Sequence, residues 1–248
     1  SRASILTGML PLSHGVIDNG IDLPNEMADL GFAAQLSRAG YNTSLIGKAH
    51  FTSKATFEPT GSPECQFSSA NYGEDWFGPY MGFNHVELMV MGHFQRRLPP
   101  GHKYLLPFEP PHGQHFERWF HSRGTPGEAR RTWEDSIDGN GLLAAQTWNS
   151  ALPEEWHTST WVADHTIKFL RSAKTKKSPF CLWASFPDPH HPFDGPAMGC
   201  MIQVKLIYPI TVFVILNLAR GGIKSSMVMI KKSIQMSILI KNLAAPHA

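Results

Sequence analysis

The amino-acid sequence predicts an α/β fold built on a parallel sheet, and three features carry that expectation. Two segments run from a helical apolar pattern directly into a strand. The second of these strands, "FCLWASF" at residues 180–186, is apolar along nearly its whole length. Such a strand suits a parallel sheet covered on both faces. Both strands also deliver basic side chains at their carboxyl ends, where open parallel sheets bind their ligands.

Along the chain, the first unit is "NEMADLGFAAQLSRAG". Asn25 is the expected N-cap, Met27, Leu30, Ala34 and Leu36 trace an imperfect apolar face, and Gly40 suits the left-handed position after a helix C-terminus. The strand "YNTSLIG" comes next and delivers "KAHF". From Thr52 to about Leu152 there is neither a clear period nor a repeat, and Gly, Pro, His and aromatic residues are dense. This region reads as long ordered loops with a short helix at 114–123, and long loops in compact domains often carry function. The second unit starts from a cap at Thr158 or Ser159 and runs through Val162, Thr166 and Phe169 to Ala173. A Lys-rich turn precedes its strand, and "PDPHHPF" comes after it.

A chain of 248 residues, 42% of them hydrophobic, can bury a sizeable core. Its net charge of +2, with no basic stripe, argues against nucleic acid or a membrane surface as partners. Cys65, Cys181 and Cys200 are scattered and odd in number, so they imply neither a disulfide framework nor a zinc site. The opening residues do not look like a signal peptide, which leaves export open. Composition breaks near residue 197. Every Trp and every acidic residue precedes the break, where 20 acids face 16 bases, and six Lys and Arg lie beyond it. The run from Leu206 to Ala219 holds Pro209 and Asn217 and is shorter than the ~20 residues of a spanning helix. A membrane anchor is the lesser reading and a core element a more ordinary one. The favoured reading is a frameshifted or otherwise non-native tail over 198–248.

Lys48, His50, His190 and His191 stand beyond the two strands. Lys supplies positive charge and His donates a hydrogen bond or a proton near neutral pH, a set suited to an anionic substrate. A Gly-Lys after a strand is more commonly a solvated loop, and paired histidines between prolines are more commonly turn residues. Their placement after two separate strands raises the case for a site.

"SRASILTG" resembles the second half of the sulfatase signature, and "GYNTSLIGKAHF" resembles the second signature of that family. "HGVIDNGIDL" and "SFPDPHHPF" occupy the places where sulfatases carry similar segments. The resemblance covers about residues 1–197 and implies an alkaline-phosphatase-like α/β sandwich, incomplete here at both ends, with 52–152 shaping the substrate pocket. It further implies hydrolysis of sulfate esters, small molecules or sulfated glycans, through a formylglycine nucleophile made from a Cys or Ser. That residue would lie three positions before Ser1. By the same resemblance, Arg2 holds the formylglycine hydroxyls, Lys48 and His50 contact the formylglycine and the sulfate, and His190 binds sulfate and protonates the leaving oxygen. His191 would line the substrate pocket or simply fill a loop. Ser1 and Gly8 would cap and end a helix, and His14 would be a satisfied structural histidine.

Sulfatases also resemble one another in holding a divalent cation, commonly calcium, through oxygen ligands, and none of the matching positions occurs in this sequence. "DNG" at Asp18–Gly20 and "DGNG" at Asp138–Gly141 have the chemistry of tight turns and are not metal sites. The chain as given is therefore expected to be an inactive part of a sulfatase. A phosphonate or phosphate monoester hydrolase of the same superfamily is the nearest rival, and a non-catalytic remnant that binds sulfated glycans is the rival from another class. Many relatives are exported or lysosomal, and the compartment and oligomeric state of this chain stay open.

Overall fold

The computed structural model describes residues 2–54, 56, 58–92, 108–138, 150–176, 178–188, 190–191, 194, 212–217 and 225–228. Ser1, Cys200, residues 139–141 and most of the tail lie outside these.

Four short helices open the chain: α1 (Arg2–Thr7), α2 (Pro11–His14), α3 (Asn25–Leu30) and α4 (Phe32–Arg38). They lead into β1 (Asn42–Lys48), then β2 (His85–Met89), α5 (His115–His121), α6 (Glu128–Asp138), α7 (Thr158–Lys176) and β3 (Phe180–Ser185). The tail contributes β4 (Val212–Asn217) and β5 (Ser225–Val228). The sheet order is β2-β1-β3-β4-β5. β1 runs parallel to both β2 and β3, while β4 runs antiparallel to β3 and to β5. This is the α/β fold with a parallel core that the two helix-to-strand units predict. No helix among the described residues is long and apolar enough to cross a membrane.

Alternation along the strands splits the core between the two faces of the sheet. Leu45, Val86, Leu88, Cys181 and Trp183 pack on one face with Leu6, Ala28 and Ala33 of the opening helices. Ile46, Met89, Phe180 and Leu182 pack on the other with Phe116 and Phe120 of α5, Trp133 of α6, and Trp161 and Leu170 of α7. β3 is buried at every position, as a strand sandwiched between helices must be. Trp183 is its anchor: it stacks on Phe32 of α4 with centroids 5.6 Å apart, and meets Phe51 and Phe83 edge-on.

Several local expectations change. The first unit is two helices, because Gly31 adopts extended backbone at a point where a Cβ would lie 2.8 Å from the Leu6 carbonyl oxygen. Asn25 is not the N-cap; Pro24 holds that position, and Asn25 begins the helix. Leu30 is half exposed, and Ala28 and Ala33 make the buried contacts instead. Gly40 does take the left-handed conformation, and the Tyr41 N–H closes the helix end onto the Leu36 carbonyl at 3.0 Å. Before α7, the Ser159 N–H donates to Nδ1 of His157 at 3.4 Å, so neither Thr158 nor Ser159 is the cap. The loop-rich region carries α5 close to its expected place, but also β2 and α6, which its Gly and Pro content concealed. The turn expected at Asp18–Gly20 is present, with the Asp18 carboxylate accepting from the Asn19 N–H at 2.7 Å.

Gly47 sets the spacing of the sheet at its carboxyl end. Its φ is +109°, and a Cβ there would lie 2.0 Å from the Ser185 carbonyl oxygen on β3. Gly47→Ala is expected to destabilise the chain by about 3 kcal/mol or more, through strain plus a backbone clash. Gly20→Ala, also at positive φ (+91°) but with nothing within 4 Å, is expected to lose only about 1 kcal/mol. Denaturant unfolding of both variants measures the difference.

Candidate active site at the carboxyl ends of the strands

Three segments converge beyond the carboxyl ends of β1 and β3. α1 presents Arg2, whose Nε donates to Ser185 Oγ at 3.3 Å and whose Nη2 donates to the Phe186 carbonyl at 3.4 Å. α1 is held there by Ala3 and Leu6, both buried against the sheet, and ends at Gly8 with φ +71°. His14 supports it from the side: Nε2 shares a hydrogen bond with Ser4 Oγ at 2.9 Å, and Nδ1 accepts from the Val16 N–H at 3.1 Å. It is the satisfied structural histidine that the sequence predicts.

The second segment is the end of β1. Lys48 is almost fully buried, at 1% exposure, and burial pushes its ammonium down to about 6. The charges of Lys54 and Arg2 push the same way, while Glu64 and Asp188 oppose them. His50 adopts φ +54°, a left-handed conformation rare for a residue with a Cβ. Burial, then the charges of Lys54, Lys48, Arg2 and His190, bring its imidazole down to about 3, so it is neutral across the physiological range. Lys54 is lowered by burial to about 8 against the pull of Glu64.

The third segment lies after β3. His190 is exposed, and its Nδ1–H donates to the His191 carbonyl, which sets the ring tautomer. Burial lowers its pKa, the bond to His191 opposes, and Lys48 lowers it further. His191 is exposed and stacks on His190, centroids 4.4 Å apart. Asp188 accepts a hydrogen bond from the Ser159 hydroxyl at the start of α7, which ties this loop to the helix.

Arg2, Lys48, His50 and His190 therefore feel one another's charge, and His191 stands at the rim. Three further members carry no sequence signal. Lys54 lies past the second signature-like segment, Glu64 lies in "SPECQF", and Asp188 lies inside "PDPHHPF", where the two histidines draw the attention. Glu64 is 1% exposed. Its oxygens accept the N–H groups of His50 at 2.5 Å, Phe51 at 3.0 Å and Thr52 at 3.3 Å, and the Tyr80 hydroxyl at 2.8 Å.

A cluster of basic groups beside two carboxylates has the donors and charge that could receive a tetrahedral oxyanion. Among the described residues, no group of three or more His, Cys, Asp or Glu side chains is placed to hold a metal ion. The described residues thus do not form the oxygen cage a divalent cation requires. A separate cavity of about 820 Å³ lies at the opposite, amino-terminal ends of the strands, lined by Asn42, His85, Glu87, His165, Lys168 and Phe180 among others. It shares no residue with the cation cluster, and its Glu87 is bridged by His85 and His165.

The folded chain binds fewer protons at Lys48 than the unfolded chain between about pH 6 and the ordinary 10.5. Lys48 therefore makes stability rise with pH across that window. Lys48→Met is expected to stabilise the chain at pH 7 by at least about 1 kcal/mol and to flatten the rise toward pH 9. Urea unfolding at the two pH values checks both.

The chain is similar to an arylsulfatase of Clostridium perfringens (strain 13 / Type A), with 29% identity over 198 residues. That match covers 79% of this chain and 34% of the relative, so the chain spans about a third of the length of that protein. Residues 1–198, which contain every member of the cluster described above, match the sulfatase family, and the chain belongs to it.

Proposed function

We propose that this chain provides the oxyanion-binding part of a hydrolase that cleaves sulfate esters, acting together with a formylglycine nucleophile and a divalent cation such as calcium. The observation that carries this is the convergence of Arg2, Lys48, His50 and His190 at the carboxyl ends of β1 and β3, within the family match. The described residues supply neither the formylglycine nor a cage for the cation. The chemistry that belongs to this chain is that of its basic side chains.

Lys48 is the anion switch. Burial and the neighbouring cations hold its ammonium down. A bound sulfate group brings negative charge, raises the Lys48 pKa, and draws a proton onto Nζ. Arg2, anchored to Ser185 and Phe186, supplies fixed positive charge beside it. His50 is neutral and donates one N–H without adding charge. His190, on the exposed rim, is the group that can reach the bridging oxygen of an ester and hand it a proton as the bond to sulfur breaks. The same anion that charges Lys48 offsets the cations that lower the His190 pKa. His191 shapes the entrance, where a sulfated sugar or aryl group would rest.

Anion binding is then coupled to proton uptake. Affinity of the chain for inorganic sulfate is expected to weaken as pH rises from 6 to 8, by up to about tenfold per pH unit for one coupled proton. Lys48→Met is expected to weaken binding and remove this dependence. Calorimetry in two buffers of different ionisation enthalpy measures the proton taken up. Turnover of an aryl sulfate and an aryl phosphonate by the intact protein is the second test. Sulfate preference with loss of rate in His190→Asn supports the proposal, whereas phosphonate preference or no sulfate binding overturns it.

A further inference from the structure

Glu64 sits beneath the cleft, 14 residues past His50 and outside both signature-like segments. Three consecutive backbone N–H groups, those of His50, Phe51 and Thr52, point at its carboxylate, and the Tyr80 hydroxyl completes the set. All four are donors, and they fall on both oxygens: Oε2 takes His50, and Oε1 takes Phe51, Thr52 and Tyr80. Four donors on two oxygens select the ionised carboxylate, because a carboxylate only accepts. Burial pushes the Glu64 carboxyl above the usual range, and the hydrogen bonds and the Lys54 charge hold it back. The charged and titratable groups around it are Arg2 from α1, Lys48 and His50 from the end of β1, Lys54 and Tyr80, with Asp188 beyond Lys48 and Glu117 beyond Lys54.

The bend these bonds hold is unfavourable on its own. His50 has φ +54°, which disfavours any residue with a Cβ, and it lies two residues past the buried Lys48. We infer that Glu64 is a positioning residue: its carboxylate gathers the N–H groups of residues 50–52 and fixes where the His50 imidazole and the Lys48 ammonium meet an oxyanion. The inference rests on the proposed sulfate site for its consequence, but the carboxylate and its three N–H donors stand independently of it. The Tyr80 hydroxyl is a fourth donor, on Oε1, beside the three N–H groups that the carboxylate gathers.

The two roles open to Glu64 predict opposite signs. At pH 5, below the Lys48 pKa of about 6, a mere counter-charge, once removed, leaves a more positive cleft that binds anions more tightly. A positioning carboxylate, once replaced by an amide, loses at least one N–H bond however the amide is turned, and anions bind less tightly.

The experiment is a titration of the full 248-residue chain with inorganic sulfate at pH 5, monitored by backbone amide NMR, for wild type, Glu64→Gln, Glu64→Asp and Tyr80→Phe. In wild type the amide protons of residues 50–52 are expected to resonate downfield. In Glu64→Gln at least one should move upfield, sulfate affinity should fall about tenfold, as loss of a hydrogen bond to a charged group implies, and the pH at which binding is lost should drop. Glu64→Asp keeps the charge but shortens the reach; loss of sulfate binding there supports positioning even if the Gln variant fails to fold. Tyr80→Phe should retain the downfield amides. Unchanged or tighter sulfate binding in Glu64→Gln, or full binding in Glu64→Asp, overturns the inference. If wild type does not bind sulfate, the proposed function fails, and the amide shifts still decide whether Glu64 holds the bend.

Discussion

Burying positive charge is the constraint to which the carboxyl end of this sheet answers. Lys48 is nearly inaccessible, and the charges of the partly buried Arg2 and Lys54 bear on it. Such a cluster is tolerable only if carboxylates lie within reach and if one member gives up its proton. Both conditions hold. Glu64 and Asp188 counter the cations from two sides, and burial lowers Lys48 far enough to release its proton near neutral pH. In the proposed reading an anion completes the charge of this cleft, so that recognition and protonation become one event.

The sheet makes that crowding possible. Gly47 lets the backbones of β1 and β3 approach so closely that no side chain fits between them, and Lys48 comes directly after it. Trp183 ties the opposite requirement together, joining α4, the bend after β1 and the turn before β2 through a single buried ring system. Helices on both faces then remove every position of β3 from water. Thus the same strand that is apolar in sequence along nearly its whole length is the rigid floor on which Ser185 and Phe186 hold Arg2.

The parallel core is legible in the sequence because its signals are local. An unbroken apolar strand, a glycine closing a helix at Gly40, and basic residues directly after two strands can each be seen within a short window. The features that are not legible depend on contacts across distance. Gly31 breaks a helix because Leu6 lies against it. β2 has only five residues and is defined by pairing with β1. Glu64 is a lone acid between a proline and a cysteine, and nothing in its neighbourhood announces that residues 50–52 fold around it. Lys48, His50 and His190 are visible as candidates, but Lys54, Glu64 and Asp188, which act on Lys48, are not.

The hydrogen bond from Arg2 to Ser185 spans 183 positions of the chain. During synthesis, Arg2 emerges first and its partner long afterwards, and loop closure over such a distance is slow. The opening helices, β1 and the Glu64 bend involve near neighbours and can organise early. The cleft itself does not exist until β3 is added, so its cations remain hydrated until then. Assembly order thereby defers a costly electrostatic arrangement until β3 can hold it.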